Sequence, residues 1–245
     1  MQKENYSSLE NALRLMNIFT VEKPEYKLNE LADMLSIAPS TVHRLLTTLR
    51  SEGFVVKDSL SNKYRLGISL RVLESVIIKN TDLFHLSQDI LEQIVLRTNL
   101  SSSLAIIFQE STFYLNAIEV DNPLFSKFSY IGKQCSFLST SAGKVLLLSK
   151  SDADILGFVR EQSTVSKLHS QLQTNGYIES HDDNRLGISS IAVPVKNKQN
   201  ETIAALEIIG TKKQVQANIR MIEEAGIKLS NKVKLQSVGV SFIPH

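Results

Sequence analysis

The chain has 245 residues, a formal net charge of +2, one cysteine and no tryptophan. This length allows two modest domains, the single Cys135 excludes an intrachain disulfide and fits a reducing compartment, and no apolar run reaches the roughly 20 residues that span a bilayer. The polar start Met1-Gln2-Lys3-Glu4-Asn5-Tyr6 lacks a signal-peptide core, so a cytoplasmic protein is expected; with near-neutral charge, any case for nucleic acid rests on local pattern.

Ser7-Ser8-Leu9-Glu10 has capping-box spacing, and Leu9, Ala12, Leu13, Met16 and Phe19 then recur at helical intervals. A second helix is expected from Asn29 as N-cap, with Leu31, Ala32 and Leu35 inward. Pro39 suits the first position of a third helix, where its missing amide costs nothing; Val42, Leu45, Leu46 and Leu49 form its stripe, and Gly53 supplies a left-handed stop. At about 100° per residue, Ser40, Arg44, Thr47 and Ser51 fall opposite that stripe, with Thr41, His43 and Thr48 on the flanks. This outward face is small, polar and cationic, as entry into a major groove requires: short side chains allow close approach, and Arg44 can donate to a guanine edge or a phosphate. The competing reading is a three-helix bundle with an ordinary solvated face.

The residues after Gly53 favour DNA. Residues 54–57 read as a strand, 58–62 as a turn and 63–66 as a returning strand closed by Gly67, so three helices lead into a two-stranded wing. Between Pro39 and Leu66 the bases Arg44, Arg50, Lys57, Lys63 and Arg65 face only Glu52 and Asp58. After Gly67, Leu70, Leu73, Val76 and Ile77 mark a further helix to about Lys79, which by spacing alone is simply a helix packed on its own domain.

From residue 82 the pattern is mixed. Segments 83–97, 142–149, 152 onward, 165–174 and 213–235 read as helices, and 103–109, 113–120, 124–130, 188–195 and 202–209 as strands. Paired strands with helices between them indicate an α+β domain around an antiparallel sheet.

Several motifs together are similar to the IclR family of bacterial regulators: Ser8-Leu9-Glu10-Asn11-Ala12-Leu13, Leu28-Asn29-Glu30-Leu31-Ala32, Ser40-Thr41-Val42-His43-Arg44-Leu45-Leu46, Glu52-Gly53-Phe54-Val55 and Lys63-Tyr64-Arg65-Leu66-Gly67. The resemblance continues through Ser139-Thr140-Ser141-Ala142-Gly143-Lys144, Asn175-Gly176-Tyr177, Leu186-Gly187-Ile188-Ser189-Ser190 and Ile203-Ala204-Ala205-Leu206-Glu207-Ile208-Ile209-Gly210. One departure is Pro39, which stands where the family often has lysine, with Ala38 at the usual proline position.

The resemblance implies a winged helix-turn-helix over 1–67, a linker helix over 68–81, and a GAF-like effector-binding and oligomerisation domain over 82–245. It implies a homodimer or homotetramer on double-stranded operator DNA, a small-molecule metabolite effector and, as the commoner family behaviour, a repressor. The DNA contacts are placed on Ser40, Thr41, His43, Arg44, Thr47, Lys63, Tyr64 and Arg65. The effector pocket maps to Ser141 and Ala142 before the Gly-Lys pair, Ser180 where acid-binding members have a carboxylate, Ser190, Glu207 and Ile209, with Leu124 and Lys127 at the mouth. Glu207 replaces a neutral hydrogen-bonding residue; pointing inward and ionised, it would disfavour a carboxylate effector and favour a polyol, amine or amide. Alternatively, Lys127 or another base neutralises it.

No cofactor, metal or catalytic residue is expected. Ser139–Lys144 lacks the glycine and the Ser/Thr of a phosphate-binding loop, Leu138 and Val145 standing in those places. His181-Asp182-Asp183 are consecutive and point to alternating faces of a strand. An enzyme of the GAF-like fold and an unregulated architectural DNA-binding protein are the competing functions; the second would show no small-molecule dependence.

Overall fold

The computed structural model describes residues 6–79, 81–121, 131–159, 161–181 and 187–236. The chain divides into two compact units, Met1–Asn80 and Thr81–His245. No helix among the described residues is long and apolar enough to cross a membrane.

The first unit holds α1 (Ser8–Met16), α2 (Leu28–Leu35), α3 (Pro39–Ser51), β1 (Val55–Lys57), β2 (Tyr64–Leu66) and α4 (Ser69–Lys79). The capping box is formed: Ser7 Oγ accepts from the Glu10 amide at 3.2 Å, and Glu10 Oε2 accepts from the Ser7 amide at 2.6 Å. The buried face of α1 differs from the one expected: Asn11 and Leu15 turn inward with Phe19 just beyond the helix, while Leu9 and Leu13 are exposed. Counting apolar residues misplaces the stripe because Asn11 is buried by donating to the Tyr6 carbonyl. Helix α2 begins at Leu28, not after an Asn29 cap; Glu30 reaches back to accept from the Lys27 amide at 2.7 Å, which fixes the start earlier. Val42, Leu45, Leu46 and Leu49 of α3 are buried as the stripe requires, and Gly53 takes φ +74° after the helix.

The wing pairs Val55 with Leu66 and Lys57 with Tyr64, antiparallel. The Tyr64 main chain also exchanges two hydrogen bonds with Tyr26, of 2.7 and 3.0 Å, fastening the wing to the loop before α2. The start of α4 is anchored on the turn after α3: Ser69 Oγ donates to the Glu52 carbonyl at 2.8 Å, and a Cβ on Gly67 would fall 2.1 Å from the Gly53 carbonyl oxygen.

The second unit places α5 (Asp82–Thr98) before β3 (Ser101–Phe108), β4 (Ser111–Ile118) and β5 (Gln134–Cys135). Beyond them come α6 (Ser141–Leu147), α7 (Asp152–Phe158), α8 (Gln162–Asn175), β6 (Ile178–His181), β7 (Ile188–Lys196), β8 (Thr202–Thr211), α9 (Lys212–Ala217) and α10 (Ile219–Gln236). One antiparallel six-stranded sheet runs β5-β4-β3-β8-β7-β6. Gln109 and Glu110 both have positive φ and form the tight β3–β4 turn, whose twist matches that of paired strands. The expected strand 124–130 lies outside the described residues, and β5 and β6 are additions to the sequence reading. The expected long closing helix is two helices: Asn218 Nδ2 donates to the Gln214 carbonyl and breaks the run between α9 and α10.

Leu104, Leu206, Ile208, Ile191 and Val193 pack one sheet face against α5, α9 and α10. Ala105, Tyr114, Ala192 and Ala205 pack the other against α6 and the short 3-10 turn Phe137–Ser139.

Candidate functional site

Each unit holds one candidate site. In the first, Ser40, His43, Arg44 and Thr47 are exposed on α3, with Thr41 half-buried, while the stripe opposite them sits in the core. The α3 N-cap Ala38 offers no side-chain bond, Pro39 has no amide, and the Thr41 and Val42 amides donate to the Ala38 carbonyl, so of the first turn the Ser40 amide is left for another acceptor such as a phosphate. Thr47 Oγ1 donates its proton to the His43 carbonyl at 2.8 Å, which leaves it an acceptor towards a ligand. On the wing, Arg65 is exposed; Lys63 is half-buried and lies 3.8 Å from Glu25, a loose pair that a phosphate can displace. Tyr64 is the exception. Its ring is 7 % exposed and belongs to the core, because the Tyr26–Tyr64 bridge turns it inward; it holds the wing and does not face outward. Asp58 shapes the wing tip by accepting from the Leu60 and Ser61 amides, and the Ser61 bonds hold its carboxyl below the usual range.

In the second unit a polar network sits inside the core between the sheet and α6. Glu207, fully buried on β8, accepts from Tyr114 Oη at 2.7 Å through Oε2, and from Ser141 Oγ at 2.7 Å and the Ala142 amide at 3.1 Å through Oε1. Ser141 Oγ also lies 2.8 Å from Ser190 Oγ; with the single Ser141 proton committed to the carboxylate, Ser190 is the donor in that pair. Lys144 Nζ donates to Ser180 Oγ at 2.7 Å. Ile209 pairs with Ser190 across the strands and is buried, an apolar wall. Ser141, Ala142, Ser190 and Glu207 thus converge, Ser180 stands opposite Ser190 in the β6–β7 register, and Leu124 and Lys127 lie outside the described residues.

Two members were missed by sequence reasoning. Tyr114 reaches the network because of a β-bulge: Asn116 pairs with Leu104 but Tyr114 with Ala105, so Leu115 is an extra residue and the two even-numbered side chains face opposite sides of the sheet. Nothing in the sequence marks that bulge. Ser103, directly opposite Glu207 in the β3–β8 register, has a fully buried hydroxyl with no hydrogen-bond partner among the described residues. Its small polar character inside an apolar strand is the signal that could have found it.

Burial, reinforced by the Glu207 charge, holds the Tyr114 phenol protonated well above its ordinary value. The same two causes, burial first, push the Cys135 thiol up to about 11, so it stays protonated and is a poor nucleophile at neutral pH. Replacing Tyr114 by Phe leaves Glu207 Oε2 without its donor and costs about 1–3 kcal/mol in denaturant unfolding. It also changes the alkaline limb. In the parent chain the unfolded phenol ionises above about 10 while the folded one does not, so stability falls as pH rises past that value; the Phe variant lacks this component.

A cleft of about 390 Å³ opens elsewhere, lined by Leu172, Pro194, Lys196, Ile227 and Lys234 among others, and none of the expected effector residues borders it. His181 Nδ1 lies 2.7 Å from Ser189 Oγ, and Asp182 and Asp183 are outside the described residues.

Comparison with known proteins gives a consistent result. The family model described as the IclR helix-turn-helix domain matches residues 8–59, and that described as the bacterial transcriptional regulator IclR C-terminal matches residues 75–233. The chain is 27 % identical over 241 residues to the HTH-type transcriptional regulator XynR of Escherichia coli, covering 91 % of this chain and 95 % of that protein. It is 26 % identical over 243 residues to KdgR of the same organism, covering 91 % and 92 %. Among solved structures, an IclR transcriptional regulator from Alicyclobacillus acidocaldarius superposes with a TM-score of 0.78 at 22 % identity, covering 93 % of this chain and 99 % of that one. An IclR homolog from Microbacterium hydrocarbonoxydans complexed with 4-hydroxybenzoate gives 0.79 at 18 % identity, with the same coverage.

Proposed function

Since the chain belongs to the IclR family of bacterial transcriptional regulators, we propose that α3 and the wing are its operator-reading surface and the Glu207 network its effector site. The observation that carries the first assignment is the outward face of α3: exposed, free of acid before Glu52, and built from Ser40, His43, Arg44 and Thr47. Arg44 reads a base edge, while Lys63 and Arg65 bind phosphates on either side.

The effector assignment rests on convergence. Buried polar groups in a core are costly unless paired, and here hydroxyls, an amide and a carboxylate from β4, β7, β8 and α6 meet at one point. The 4-hydroxybenzoate complex of the Microbacterium relative supports a small molecule in this family's regulation. For this chain the favoured effector is a polyol, amine or amide. Binding shifts the population of DNA-competent arrangements.

Two copies act together. Ile68, Val72 and Leu73, at and just before α4, are exposed apolar groups that a second copy can cover, and a dimer sets two α3 helices about 34 Å apart on successive major grooves. The test is selection of a duplex from random DNA, followed by gel shifts against a metabolite panel and sedimentation of the same samples. A metabolite-dependent change in affinity and a dimer or larger particle are expected. Affinity unmoved by any metabolite would favour an architectural protein.

A further inference from the structure

We infer that Glu207 is a tethered ligand: its carboxylate fills, from within the chain, a site built to hold a small acid, and so closes this domain to carboxylate effectors. The physiological consequence rests on the network being the effector site; the occupancy itself does not.

The donor set makes the argument. Tyr114 Oη, Ser141 Oγ and the Ala142 amide are neutral donors from β4 and the first turn of α6, and all three point at the two oxygens of one carboxylate. A carboxylate is acceptor-only, and hydroxyl and amide donors of this kind are what hold such a group away from water. The packing of the sheet does not ask for an acid here. On the same face of β8 the neighbouring positions are Ala205 and Ile209, both buried and apolar, and an isolated acid at this depth costs free energy that an apolar side chain would not.

Ser103 provides independent support. It stands opposite Glu207 in the register, on the same sheet face, fully buried, and its hydroxyl has no partner among the described residues. The site therefore contains one donor more than the tethered carboxylate uses. A free acid, not bound by the Glu207 backbone, has the freedom to reach it.

The chemistry of one substitution matches the idea. Glu207→Ala keeps Cβ and removes Cγ with the carboxylate, which are the heavy atoms of acetate. The donors remain, and the vacated space has the shape of that anion.

The experiment uses the full chain, thermal unfolding, and sodium acetate or formate against sodium chloride at matched ionic strength. In chloride, Glu207→Ala unfolds at a lower temperature than the parent. Acetate raises its midpoint saturably, by roughly 5 to 10 °C at a hundredfold excess over the dissociation constant. The parent, its site already filled, shows the same midpoint in both salts, as does Glu207→Gln, which keeps the bulk. If Glu207→Ala does not fold in chloride, refolding in acetate recovers it. An Ala variant that acetate neither stabilises nor refolds, or a parent that responds as strongly, overturns the inference. The effector reading is judged separately by the affinity of the acetate-loaded Ala variant for the selected duplex. Acetate that stabilises the variant but leaves DNA affinity unchanged retains the tethered ligand and removes the effector role of this site.

Discussion

Arg44→Ala is expected to abolish specific operator binding while leaving the winged helix folded. The side chain is exposed on α3 and lies opposite the buried stripe of Val42, Leu45, Leu46 and Leu49. Its removal opens no cavity and strands no buried partner, so stability stays within about 0.5 kcal/mol. A guanidinium on a guanine edge is worth about 1–3 kcal/mol of discrimination, and the proposed dimer loses it at both half-sites, about 2–6 kcal/mol in all and a fall of roughly thirtyfold to twenty-five-thousandfold. The checks are gel shift with the selected duplex, competition with random DNA, and circular dichroism of the variant. Residual binding is non-specific and strongly weakened by salt. Undiminished binding that is insensitive to salt would remove α3 from the groove.

The second large effect is on the second unit. Gly143 is the third residue of α6, and its amide donates to Thr140 Oγ1 at 3.0 Å. A Cβ there would fall 2.4 Å from the Phe137 carbonyl oxygen and 2.7 Å from Thr112 Oγ1. The first obstacle is backbone, so no rotamer change relieves it; either α6 or the turn Phe137–Ser139 must move. Gly143→Ala is therefore expected to cost on the order of 3 kcal/mol in the second unit. Calorimetry distinguishes the units: the transition of the second unit falls, and that of the first unit stays where it is in the parent. Because α6 carries Ser141 and Ala142, the same displacement takes two donors from Glu207. A variant as stable as the parent would mean that α6 is less tightly seated than these distances imply.

The first unit was largely legible in the sequence because its signals are local. Ser7 and Glu10, Pro39, the α3 stripe and Gly53 each fix a helix end or face through residues three or four positions away. The errors there came from neighbours in space: Asn11 is buried by a carbonyl, and Tyr64 is turned inward by Tyr26. In the second unit the strands β7 and β8 were legible from their apolar runs, but the site was not. Resemblance supplied Ser141, Ala142, Ser190 and Glu207 as names; what they bond to depends on strand order and register. The Lys127 alternative for Glu207 falls outside the described residues, whereas Tyr114, the partner that the structure does describe, lies 93 positions away in sequence.

The β4 bulge bears on how this strand can change length. With Leu115 as the surplus residue, Leu104 faces Asn116 and Ala105 faces Tyr114. Removing Leu115 would leave both pairings in place and turn an irregular ladder into a regular one, with Tyr114 still aimed at Glu207. A one-codon deletion inside a central strand ordinarily reverses every side chain beyond it. Here β4 holds a single position where the reading frame of the sheet can lose a residue and its inside and outside stay as they are.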